Sequence, residues 1–122
     1  MNPRMLVLTI ATSSLVAVSG SASDLVEIRV NGHYFAEPAT VEIVIAVEPD
    51  QANRTLRVEA DGDRFFRSSE ITLDGSSEKR LHTVEFRNLP AGSYEVRAEV
   101  LSTKDVRGMA VQDLEVMGTP GR

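Results

Sequence analysis

Two histidines, His33 and His82, and no cysteine stand among 122 residues, so a nucleophile in this chain would be a serine or threonine activated by one of two imidazoles. The Gly-x-Ser-x-Gly elbow that would present such a serine does not occur. His82 keeps period with Val84 and Phe86, which predicts a structural place at the entrance of a core, and His33 follows the turn-forming pair Asn31-Gly32, which predicts a solvated ring. The expectation is therefore no catalytic residue, no cofactor and no enzyme activity. Asp61 and Asp63, with Glu70 or Asp74, offer oxygen to a hard cation such as calcium. The spaced Asp-x-Asp-x-Asp-Gly run of a dedicated calcium loop is missing, however, and Asp-Gly is itself a hairpin signal, so no metal site is expected. Asn53-Arg54-Thr55 fits the N-glycosylation sequon, incidental outside a eukaryotic secretory pathway. The segment Arg64-Phe65-Phe66-Arg67 is more suggestive. Neighbours on a strand face opposite ways, so one phenylalanine should be partly exposed between arginines, a candidate patch for a protein partner or a sugar. The simpler reading is that this strand bulges or wraps an edge and buries both rings.

What positions these residues begins with the amino terminus. Met1-Asn2-Pro3-Arg4 carries one positive charge, and Met5 to Val18 carries none and is mostly Leu, Val, Ile, Ala, Ser and Thr. This reads as the n- and h-regions of a secretory signal, too short for the ~20 helical residues of a membrane span. Small residues at Gly20 and Ala22, or Ser21 and Ser23, place cleavage after Ala22 or Ser23. The expected division is a signal peptide over 1–22, one domain over 23–117 and a disordered tail over 118–122. With no cysteine to carry a lipid, the mature form is expected to be soluble, without a membrane span, and periplasmic or extracellular.

The chain has 13 basic and 18 acidic side chains, a formal net charge of −5, and cleavage would remove one basic residue, Arg4. Such a surface repels nucleic acid, and no local basic cluster reverses this. About 100 mature residues make one domain, held by its core alone, since no disulfide can form.

The hydrophobic period is two almost throughout. Val26, Ile28 and Val30 alternate with polar residues up to Asn31-Gly32. Thr40 to Val47 is apolar on both faces past Glu42, which predicts a central strand. Leu56, Val58 and Ala60 form a third strand ending at Asp61-Gly62-Asp63, and a weaker fourth runs from Arg64 towards Leu73. His82, Val84 and Phe86 make a fifth, and Tyr94, Val96, Ala98 and Val100 a clear sixth. The last, Gly108 to Val116, changes phase after Val111, which predicts a bulge. About seven strands with short turns and no helical stretch after the signal predict an all-β, antiparallel sandwich of two sheets.

Asn88-Leu89-Pro90-Ala91-Gly92-Ser93-Tyr94-Glu95-Val96-Arg97-Ala98 resembles the corner between two strands in fibronectin type III and related bacterial immunoglobulin-like domains. The resemblance implies an immunoglobulin-like sandwich in which Leu89, Pro90, Gly92 and Tyr94 form a structural corner, the Tyr94 hydroxyl bonding back to the turn and Leu89 plugging the core. The chain departs from the fibronectin pattern in having no tryptophan, so Ile43 and Ile45 must fill that volume. The string is also similar to the final turn of transthyretin-like carboxypeptidase-regulatory domains. Neither architecture implies a function. The function expected is a secreted or periplasmic structural or protein-interaction module, with a carbohydrate- or calcium-binding module using the loops from Asp61 to Phe66 as the alternative.

Overall fold

The computed structural model describes residues 25–119, so the expected signal peptide over 1–22 lies outside the described residues. Among the described residues eight strands are formed: β1 (Val26–Val30), β2 (Tyr34–Ala36), β3 (Ala39–Val47), β4 (Thr55–Gly62), β5 (Phe66–Thr72), β6 (Leu81–Leu89), β7 (Gly92–Leu101) and β8 (Val106–Met117). A single 3-10 turn, Gly75–Ser77, lies between β5 and β6. The chain is all-β in two sheets, ordered β1-β3-β6 and β2-β8-β7-β4-β5.

The alternation read in the sequence explains the two layers. Val41, Ile43, Ile45 and Val47 of β3 face Leu56, Val58 and Ala60 of β4 and Tyr94, Val96, Ala98 and Val100 of β7 across the interior, and all are buried. Each large side chain among them contributes about 1.5–3 kcal/mol by leaving water, and Ile43 and Ile45 are fully buried in this core. β3 lies between β1 and β6, so its apolar flanks are covered.

Three expectations are corrected. Among the described residues the strands number eight where about seven were expected, because Tyr34–Ala36 pairs with Glu115–Met117. That pairing is parallel, so the sheets are not wholly antiparallel. After β1 the chain turns at Gly32, whose φ of +108° suits glycine, and crosses from one sheet to the edge of the other; the new strand continues in the direction of β8. Third, β8 carries no bulge at Val111. Ala110, Gln112, Leu114 and Val116 keep one phase opposite Ala98, Val96, Tyr94 and Gly92, and the register shifts instead between Val100 and Leu101. Val111 is outward and 39% exposed.

At one end of the sandwich three segments meet on Glu37. Its carboxylate accepts from the backbone N–H of Ala91 and of Thr119, each at 3.0 Å. Of the tail expected over 118–122, Gly118 and Thr119 are described, and Thr119 is held by this bond. The two bonds, Thr119 first and Ala91 second, hold the Glu37 carboxyl below its ordinary value of 4.5 against a smaller opposing effect of burial. A carboxyl lowered on folding stabilises the fold above the unfolded value and loses that contribution as pH falls through the folded one. Acid titration from about pH 4.5 downward should therefore loosen this end, and Glu37→Gln should show a flatter fall in thermal midpoint over the same window. An identical acid profile for the two proteins would refute the clamp.

Candidate functional site

The outward side chains of the five-stranded sheet stand in rows set by strand register. In one row Glu70, Arg57 and Glu99 alternate, with Arg57 at 3.1 Å from Glu70 and 3.2 Å from Glu99. In the next, Arg97 lies 3.5 Å from Glu59 and bonds Glu95 of its own strand. Among the described residues the row beyond holds no cation of its own, and only Glu95 in it is reached by Arg97. Asp113, Glu95 and Asp61 are directly opposite one another on β8, β7 and β4, and Phe66 of β5 opposes Asp61.

A groove of about 640 Å³ opens over this part of the face. Ser93 to Glu95 and Asp113 to Glu115 form its floor, with His33 and Tyr34 on one side and Asp61 on the other. Tyr34 is 74% exposed because Phe35, its neighbour on β2, takes the place against the core. The floor is bonded to its surroundings: Ser93 Oγ donates to Glu115 Oε2 at 2.7 Å and Glu115 N–H donates to the His33 carbonyl at 2.8 Å, while Gln112 Nε2 lies 3.3 Å from His33 Nδ1.

The Arg64–Arg67 segment is divided by the fold. Phe65 packs against the core, with the Arg67 guanidinium 5.1 Å from its ring centroid, while Phe66 points outward and is 54% exposed. The reading in which both rings are buried does not hold. Arg67 reaches across to the Arg87 carbonyl on β6, and Arg64 lines a second hollow of about 380 Å³ with Glu37, Asp63, Phe65 and Tyr94.

At the corner, Tyr94 Oη donates to the Pro90 carbonyl at 2.7 Å, and Leu89 is fully buried. Burial first, and then the Glu37 charge, holds the phenol above its ordinary value of 10.0, so the proton needed for this bond stays in place. Gly92, at φ +153°, starts β7 beside the ring.

The remaining candidates are scattered. His33 borders the groove, whereas His82 is inside the core at 3% exposure, its Nε2 without a hydrogen-bond partner among the described residues. Asn53 of the sequon is buried, donating to the Glu48 carbonyl and accepting from Arg107 at 2.6 Å, so its amide is taken up structurally. Asp61 faces the groove, Asp63 the second hollow, Glu70 binds Arg57 and Asp74 precedes the 3-10 turn without a side-chain capping bond. Among the described residues no group of three or more His, Cys, Asp or Glu could hold a metal ion, and no helix is long and apolar enough to cross a membrane. Sequence reading missed the groove itself, since Tyr34 and the facing carboxylates meet only through strand register.

No family model and no curated protein matches the sequence. Two solved structures of superoxide reductase (neelaredoxin) from Ignicoccus hospitalis are similar in fold. They give TM-scores of 0.54 and 0.52 at 10% identity, covering 75% and 73% of this chain and 81% and 78% of theirs. The CARDB domain of a Pyrococcus furiosus protein, solved in complex with di-metal ions, gives 0.49 at 16% identity over 77% of this chain and 92% of its own. The expectation that the chain is not an enzyme is overturned by the first two: its fold is one that enzymes share. At that identity the likeness shows the fold alone, and superoxide reduction remains a property of those proteins.

Proposed function

We propose that this chain is an exported interaction module of immunoglobulin-like, fibronectin type III-like build, working in the periplasm or outside the cell and binding a protein partner through the outer face of its five-stranded sheet. The build is supported by the strand order β1-β3-β6 against β2-β8-β7-β4-β5 and by the Tyr94 bond to Pro90. Export rests on the signal-like pattern before Asp24. The observation that carries the function is the groove with Tyr34 raised beside it and Phe66 at the end of its acidic row, two large rings left in water on one face. Exposed aromatics of this kind anchor interfaces, because a ring supplies much area for little rotamer entropy.

Site-specific photocrosslinking of the full chain in its native compartment tests this. A photoreactive phenylalanine analogue at Tyr34 or at Phe66 should give the same discrete adduct, and one at Thr83, exposed on the other sheet, should not. Adducts of equal yield from Thr83, or none from Tyr34 and Phe66, would overturn the reading.

A further inference from the structure

Charge on the outer face is unevenly neutralised. Arg57 pairs with Glu70 and Glu99, and Arg97 with Glu59 and with Glu95 of its own strand, but among the described residues Asp61, Asp113 and Glu115 have no ion-pair partner. Register places Asp113, Glu95 and Asp61 directly opposite one another on three adjacent strands; Arg97 offsets Glu95 in the middle, and the two aspartates that flank it stay uncompensated, an arrangement of like charge that weakens a sheet. The row also ends on an aromatic ring at Phe66, and Tyr34 rises from the strand beyond Glu115.

We propose that the groove receives an extended, arginine-bearing segment of the partner protein, lying across β8, β7 and β4 between Tyr34 and Phe66. This rests on the interaction-module reading above. Guanidinium groups fit both features of the face, pairing with carboxylates and stacking on exposed rings. Strands about 4.8 Å apart spread three carboxylates over roughly 10 Å, and no three of them converge on a point that could hold a metal ion. That spacing suits an extended polycation rather than one bound ion, and a groove of about 640 Å³ has room for a few side chains.

Fluorescein-labelled octa-arginine, titrated into the full chain at low salt and followed by anisotropy, provides the test. Asp61→Asn with Asp113→Asn should weaken binding about tenfold, as loss of two complementary charges at low salt does, while raising the thermal midpoint by relieving the row. Tyr34→Ser should weaken binding without that rise. The matched control is Glu42→Gln with Glu85→Gln, which also neutralises facing carboxylates, but on the other sheet; it should leave binding within about twofold. Equal weakening by the two doubly neutralised variants would show adsorption to net charge and overturn the proposal. So would a calcium-induced rise in midpoint that disappears in Asp61→Asn with Asp113→Asn, since it would assign the row to a metal. If octa-arginine ignores the groove while Tyr34 still crosslinks a partner, the basic segment is refuted and the interaction module is not.

Discussion

Replacing Tyr94 with alanine is expected to remove about 3–5 kcal/mol of stability, as truncation of a buried aromatic does. Tyr94→Phe, which keeps the ring and deletes the hydroxyl, should remove about 1 kcal/mol. The difference separates two roles of one side chain. The ring is 4% exposed and shares the core with Leu89 and Leu114, so alanine leaves a cavity at the end of the sandwich. The hydroxyl satisfies the Pro90 carbonyl at 2.7 Å and thereby fixes the turn that aims Ser93 and Glu95 into the groove. Small domains hold about 5–15 kcal/mol in all, which brings the alanine variant near the threshold of folding. Urea denaturation of the three proteins checks both magnitudes. A phenylalanine variant as unstable as the alanine one would mean that the hydroxyl, not the packing, holds the corner.

Gly62→Ala is expected to cost about 1–3 kcal/mol, the range for overpacking a filled site. Gly62 is the cross-strand partner of Tyr94, and a Cβ on it would stand 2.7 Å from Tyr94 Cε2 and 2.9 Å from Cδ2, with the Phe65 carbonyl at 3.2 Å. None of these atoms is a free end. The ring is pinned by Pro90, and the carbonyl accepts the Gly62 N–H at 2.9 Å. Because the clash is with one ring, the cost should vanish when that ring is absent: Gly62→Ala added to Tyr94→Ala should change stability by less than about 0.5 kcal/mol, a strong departure from additivity. Additive losses would place the strain in the β4 backbone instead.

The strands that face both water and core were legible because alternation records that asymmetry. Val26 to Val30, Leu56 to Ala60 and Tyr94 to Val100 read the same way in sequence and in space. β2 was not, since three residues between Gly32 and Pro38 are too few to show a period, and their parallel partner lies some eighty residues along the chain. At Val111 an apolar residue on the outer face imitated a change of phase; the strand runs straight through it. The Phe65-Phe66 pair was correctly seen as facing two ways, but whether the outer ring met protein or water depended on β5 being an edge. The acidic row was hidden for a simpler reason. Asp61, Glu95 and Asp113 are unremarkable outward positions on separate strands, and only pairing makes them neighbours.

That pairing supports the groove, the exposed rings and the partner inferred from them, because a slip by one residue turns every outward side chain inward. Cross-strand nuclear Overhauser contacts measure it directly in isotopically labelled protein. The register set out above requires backbone contacts linking Asp113 to Glu95, Glu95 to Asp61 and Asp61 to Phe66. Contacts displaced by one residue, placing Val96 opposite Asp61 or Asp113, would contradict it and dissolve the site.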